Sequence, residues 1–434
     1  MASVEVLAVG TELLLGQISN TNGQYLARVL ARHGALHYRQ TVVGDNQERV
    51  EACLREALGR TDMVVTIGGL GPTEDDLTKA AVAAVFDRRL VLDPGWWDAI
   101  IARRGGSVPT SPSARRMAEI PEGAEAIPNH HGTAAGVLLR SRFAGKDCVV
   151  VCLPGPPSEC LPMIDDWLAP FLATWVAESG GPRALVSRSL RIAGLWESTA
   201  EGIARAFITG RDNPSVAPYA GQGEVELRLT ARADTRTEAE ALLAPVETAL
   251  RAKLGPWLYG VDEETLPGVV LEALVRAGKT LAVAESCTGG LLAQRLTEIP
   301  GSSRAFVAGV VGYANRSKER LLGVSESLWA THGAVSEAVA IAMASGAAAV
   351  VDADIGVGIT GVAGPDGGTA ETPVGTVFLA LHAEQGNWCW RLRLRGSRSV
   401  VRFLATQHAL LALHRFLGGG VAAMEELGTR GFYL

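Results

Sequence analysis

Apolar residues in the first third of the chain follow two alternating periods. Residues 4–9 form a short aliphatic run. Residues 25–33 then place Leu26, Val29 and Leu30 on one face before Gly34, the spacing of an amphipathic helix. Val50, Cys53, Leu54, Ala57 and Leu58 repeat the stripe, the run MVVTI follows, and a further helix is predicted through residues 77–86. The run CVVVCL at 148–153 closes the series. Short strands alternating with helices predict a mostly parallel sheet covered on both faces.

The rhythm then changes. LVSRSLRI, a helix through 199–207, the alternating EVELRLTARA and a long helix over 237–254 predict a small α+β unit with a half-exposed antiparallel sheet. Its flanks, AESGGPR and YGVDEETLPG, read as linkers. From about residue 266 the βα rhythm returns: a helix up to Gly278, the strand TLAVAES, a helix through Arg295 and the strand FVAGVVGY. The fold class is therefore α/β with three predicted domains, 1–172, 180–258 and 264–418, and a chain of 434 residues is too long for one core.

Composition narrows the function. With 47% hydrophobic and 20% charged residues, disorder is excluded. Forty Lys and Arg against 46 Asp and Glu, with no long basic run, give no footprint for a phosphate backbone, so no nucleic-acid partner is expected. The start MASVEVLAVGTE has no basic leader, and the apolar stretch 338–351 is too short to span a bilayer, so a cytoplasmic protein without a membrane partner is expected. Six cysteines with no CxxC pair read as reduced, mostly buried thiols.

Candidate chemistry lies where strands run into glycine-rich loops. GTELLLG follows the first strand and carries Gly10 and Glu12, and GGLGPTEDD (68–76) follows the third. At the carboxyl ends of parallel strands, Gly68, Gly69 and Gly71 would let backbone N–H groups approach a phosphate, helped by the following helix terminus. Thr73 offers a hydroxyl to that anion. Asp75 and Asp76 suit a divalent cation bridging to it. The plainer alternative is that residues 73–76 only cap a helix. LPGPPSE (153–159), with Gly155 and Glu159, adds a rigid proline-bounded edge or a simple turn.

AESCTGG (284–290) sits between a strand and a helix, so Ser286 is expected to be exposed, with N–H groups near Thr288 and Gly289 forming an oxyanion hole. An isolated hydroxyl needs a base; Lys318 in YANRSK, beside Tyr313, would serve if burial lowers its pKa. Cys287 with His332 is the rival pair. GITGVAGPDGG (358–368) offers Thr360, Gly361 and Gly364 to a phosphate or oxyanion, and Arg398, with Arg402 one turn on, offers cations.

GTELLLGQ with the nearby NTN that contains Asn22, then GGLGPTEDD and LPGPPSE, resemble the N-terminal domain of the CinA family, related to molybdopterin-binding domains. AESCTGG, YANRSK, HGAVSE and GITGVAGPDGG resemble the family's C-terminal domain, and the middle segment resembles its KH-like insertion. The resemblance implies a bifunctional hydrolase of NAD recycling. Its C-terminal domain would deamidate nicotinamide mononucleotide through Ser286, Lys318 and Tyr313. Its N-terminal domain would hydrolyse ADP-ribose to AMP and ribose 5-phosphate with a divalent metal (Mg, Co or Mn) on Asp75, Asp76 and Glu159. A homodimer is the expected assembly. Thr372 departs from the family pattern, in which a basic residue is common there, and the KH-like segment lacks a clear GxxG clamp, so RNA binding is not carried over. A molybdopterin-binding module fused to a non-catalytic competence-related domain is the alternative reading.

Overall fold

The computed structural model describes residues 2–103, 105, 107, 111–179, 184–210 and 212–432. Two compact units are present: residues 1–186 with 231–241, and residues 187–230 with 242–434.

In the first unit, alternate residues of each central strand bury on opposite faces. Val4, Val6, Met63 and Val65 join a cluster with Leu26 and Leu30. Leu7, Val9 and Val64 join another with Val50, Leu54 and Leu58. The six-stranded sheet runs Leu36–Val43, Ser3–Val9, Met63–Ile67, Lys146–Leu153, Gly136–Phe143, Glu125–Ile127. The first four strands are parallel, as the βα rhythm predicts. The last two are antiparallel additions. Gly136–Phe143 escapes the pattern reading because its first four residues are all buried and only its second half alternates. The order places the ends of Ser3–Val9 and Met63–Ile67 side by side.

In the second unit, Thr376–Ala383 and Gly386–Arg393 form an antiparallel hairpin added to three parallel strands. The sheet order is Phe306–Val311, Leu281–Glu285, Ile355–Gly361, Thr376–Ala383, Gly386–Arg393. Helix Glu337–Val350 packs on this sheet almost backbone to backbone. A Cβ on Gly356 would sit 2.0 Å from the Ala344 carbonyl oxygen, and one on Gly358 would sit 2.3 Å from that of Ala340. Only glycine on the strand allows this approach to the helix backbone.

One expectation needs correction here. The stretch predicted as a linker begins with a strand, Leu258–Val261, paired antiparallel to Ala184–Ala193 in a four-stranded sheet. The rest of its flank, AESGGPR, lies mostly outside the described residues. Past 418, the predicted end of the third domain, the helix Arg398–Arg430 breaks at Gly420 and resumes, burying Met424 and Leu427 against the same cluster as Leu410 and Leu413. The six cysteines are all free thiols, four of them buried. Among the described residues no helix is long and apolar enough to cross a membrane.

Candidate functional site

The first unit gathers its candidates around one cavity of about 510 Å³, lined by Gly10, Glu12, Asn22, Gly68, Gly69, Gly71, Thr73, Asp75, Asp76, Gly155 and Glu159. Every residue proposed for this domain from the sequence is on that wall. Their convergence follows from strand order. Gly68 has φ 103°, and a Cβ there would lie 2.3 Å from the Val9 carbonyl oxygen, so the third loop touches the end of the first strand. The same Cβ test at Gly155 finds the Gly68 Cα at 3.5 Å. Asn22 Nδ2 donates to the Gly155 carbonyl at 2.6 Å, and the Thr78 hydroxyl donates to that of Gly68 at 2.8 Å.

The acidic residues behave differently from expectation. Thr73 does not point a free hydroxyl at the cavity: its N–H donates to Asp76 Oδ2 at 2.8 Å and its hydroxyl donates to the same oxygen. Asp76 therefore closes the 73–76 turn. Glu159 accepts from Asn129 Nδ2 at 2.7 Å, and Asp75 is exposed. Asp75, Asp76 and Glu159 line one cavity without converging; among the described residues no three His, Cys, Asp or Glu side chains gather as a metal cluster. Magnesium-type ions are commonly held by one or two carboxylates plus a ligand's phosphates, and Asp75 with the spare lone pairs of Glu159 fits that looser requirement. Beneath the loop, Lys79 is buried, donates to the Arg116 carbonyl at 2.6 Å, and has its pKa pushed down to about 8 by burial.

The second unit's candidates emerge at one sheet edge. Glu285 pairs in register with Val311 on one side and Ile359 on the other, so Ser286 and Gly312–Tyr313 leave the sheet together, beside Thr360 and Gly361, which continue their strand paired to Phe378 and Val377. Ser286 is buried at 8% exposure rather than exposed. Lys318 is 2% exposed, and desolvation holds its pKa below the usual lysine range, with the Cys287 thiol acting in the opposite sense. Among the described residues its ammonium donates to Asn315 Oδ1 at 3.3 Å, and no hydrogen bond joins it to Ser286. Tyr313 is exposed, and its hydroxyl accepts from Arg398 Nη2 at 2.9 Å, while Arg398 Nη1 donates to the Gly364 carbonyl at 2.8 Å. One guanidinium thus ties two of the three loops.

Three roles shift. The Thr360 hydroxyl donates to the Ala334 carbonyl at 2.9 Å, so it has no proton for a phosphate. Leu292 and Ala293 N–H donate to the buried Glu285 carboxylate at 3.0 and 2.8 Å, so the helix start is occupied and an oxyanion hole is left to the turn itself. Among the described residues the buried Thr288 hydroxyl has no hydrogen-bond partner. Burial raises the Cys287 thiol to about 11, against its use as a thiolate.

Residues 5–174 match the family described as a probable molybdopterin binding domain, 187–260 the damage-inducible protein CinA KH domain, and 263–417 the CinA C-terminal domain. A CinA-like protein of Kosmotoga olearia is 44% identical over 414 residues, spanning 95% of this chain and 98% of that protein. The chain belongs to the CinA family. A protein of Symbiobacterium thermophilum named as competence-damage inducible is 48% identical over 96% of this chain and 99% of its own length. A solved CinA superfamily protein from Klebsiella pneumoniae is 37% identical, covering 35% of this chain and 96% of that one, with a TM-score of 0.35.

For this CinA chain, sequence reasoning missed Glu285, Arg295, Lys79 and Asn129 as parts of the two sites. Glu285 carried a signal, a carboxylate at a strand end just before a helix, which is where a helix start needs an acceptor. Arg295 and Asn129 carried none, since their partners are distant in sequence: Thr406 and Gln407 for one, Glu159 for the other.

Proposed function

We propose that the second unit hydrolyses the carboxamide of nicotinamide mononucleotide to nicotinic acid mononucleotide and ammonia. The observation that carries this reading is a buried lysine, its pKa lowered by desolvation, on the segment that leaves the sheet beside the Ser286 turn. The neutral Lys318 amine takes the Ser286 proton as Oγ bonds to the amide carbon. The tetrahedral oxyanion collapses, the C–N bond breaks, and the lysine ammonium returns its proton to the departing nitrogen, giving ammonia and an acyl-serine. Water, deprotonated by the same amine, then adds to the ester carbon; as the C–Oγ bond breaks, the lysine ammonium returns that proton to Ser286 Oγ, and nicotinic acid mononucleotide leaves as the acid, which ionises to the carboxylate. Tyr313 borders the site and holds Arg398, whose remaining N–H groups are available to the substrate phosphate. The test is chromatographic assay of both mononucleotides: Ser286→Ala abolishes conversion, whereas Cys287→Ala keeps most of it. If Cys287→Ala is inactive and a thiol reagent inactivates the wild type, the cysteine is the nucleophile instead.

A second reading is favoured by the cavity of the first unit, where three glycine loops come together and two carboxylates with spare lone pairs line the wall. We propose that it takes ADP-ribose, with Gly68, Gly69 and Gly71 against the pyrophosphate, and releases AMP and ribose 5-phosphate. A divalent cation (Mg, Co or Mn) held by Asp75 and Glu159 would neutralise phosphate charge there. AMP release that needs an added cation and is lost in Asp75→Ala supports it. Tight binding of a pterin without AMP release favours the molybdopterin-binding alternative.

A further inference from the structure

Two arginines cross in opposite directions between the helix after Ser286 and the long C-terminal helix, and neither has a part in the reaction above. Arg402 sends Nε and Nη2 to the Thr288 carbonyl at 3.1 and 2.7 Å. Arg295, on helix Leu291–Thr297, sends Nη1 to the Thr406 hydroxyl at 2.7 Å and Nη2 to Gln407 Oε1 at 2.6 Å, its guanidinium lying 4.5 Å over the Phe403 ring. Thr406 and Gln407 are fully buried, so this end of the brace does not slide.

The segment being held needs an outside tie. Its own bonds are Gly289 N–H to the Ser286 carbonyl at 3.0 Å and Leu291 N–H to that of Thr288 at 3.3 Å. Gly289 and Gly290 both have left-handed φ, 59° and 89°, where a glycine pair restrains the chain little. The peptide between Thr288 and Gly289 is the pivot: its oxygen faces Arg402 and its N–H faces the Ser286 carbonyl. Ser286 is held on its strand side by its N–H donating to the Ile359 carbonyl at 2.9 Å, and fixing that peptide plane fixes its other side.

We propose that Arg402 is a positioning residue that holds the nucleophile turn in register with the helix presenting Arg398, and that Arg295 anchors the opposite end of the same brace. This rests on the amidase reading. Arg402 is thereby separated from Arg398: the first orients the attacking group, while the second reaches toward substrate. Geometry errors of about 1 Å at a reacting group cost on the order of a hundredfold in rate.

In the full-length chain, Arg402→Ala is expected to lower kcat for nicotinamide mononucleotide about 30- to 100-fold with KM changed less than about threefold. Arg402→Lys, which can restore one of the two bonds, recovers part of the loss and serves where the alanine variant folds poorly. A raised KM with unchanged kcat in Arg402→Ala would make Arg402 a substrate anchor and overturn the proposal, as would unchanged values of both. The rate at which a small fluorophosphonate labels Ser286 separates the two hypotheses. A wild type that labels but leaves the mononucleotide intact removes only the substrate assignment, and tenfold slower labelling of Arg402→Ala then supports the brace. A wild type that neither labels nor hydrolyses overturns both.

Discussion

Removing the Glu285 carboxylate is expected to be among the more destabilising single changes at the sheet edge of the second unit. Glu285 is 1% exposed and accepts from Leu292 N–H at 3.0 Å and Ala293 N–H at 2.8 Å. Hydrogen bonds to a charged group contribute about 1.5–3 kcal/mol each, and a donor stranded in the interior costs about 1–3 kcal/mol. Loss of a favourable charge at a helix N-terminus adds roughly 0.3–1 kcal/mol. These effects overlap, because a lost bond and a stranded donor are one event seen twice, so Glu285→Ala is expected to cost about 3–5 kcal/mol. Glu285→Gln keeps the shape and one acceptor but turns an amide NH₂ toward the second N–H, and should cost roughly half as much. For units of 150–250 residues a loss of 1 kcal/mol lowers Tm by about 2–4 °C, so the alanine variant should melt roughly 6–20 °C lower. Calorimetry of the full chain reads this directly. A shift within 1 °C for Glu285→Ala would show that the helix start finds other acceptors, and the account of the turn would be wrong.

His408 is buried at 3% exposure against Phe432, and burial pushes its pKa down to about 4. Because the folded chain resists its protonation, the stability it allows is full above about pH 6.5 and is lost as pH falls toward about 4, on the order of 3 kcal/mol. Acid unfolding of His408→Gln should therefore show a shallower loss across that window, and an unchanged slope would assign the loss to other groups. Arg398→Ala should cut kcat/KM for nicotinamide mononucleotide about ten- to a hundredfold more than for nicotinamide riboside, since one charge-assisted phosphate contact is removed. Equal losses on both substrates would mean that Arg398 acts only by tying Tyr313 to Gly364.

The parts legible in the sequence are those fixed by neighbours along the chain. Leu26, Val29 and Leu30 do share a buried face, and the glycine loops after Val9 and Ile67 do meet, because parallel strand order forces their ends together. What the periodicity concealed was pairing at sheet edges. Gly136–Phe143 and Leu258–Val261 are strands only because a partner lies alongside, and their composition is ambiguous without it. The state of individual polar groups was also hidden. Thr73 and Thr360 read as free hydroxyls, yet each donates to a partner inside the protein. Ser286 read as exposed by analogy with a sharp turn, but it is buried.

The close seating of helix Glu337–Val350 on strand Ile355–Gly361 sets how this protein can diversify. Gly356 and Gly358 face the backbone carbonyls of Ala344 and Ala340 across a gap that admits no methyl group, so neither glycine can gain a side chain without moving a strand whose end supplies Gly361 to the site. Compensation by a second substitution is blocked as well, since the opposing atoms are main-chain carbonyls that every residue carries. A saturation library selected for folding should therefore leave Gly356 and Gly358 nearly invariant while the exposed hairpin turn at Glu384–Gln385 drifts freely. New substrate preferences should arise through the loops and the C-terminal helix, and not by re-spacing this layer.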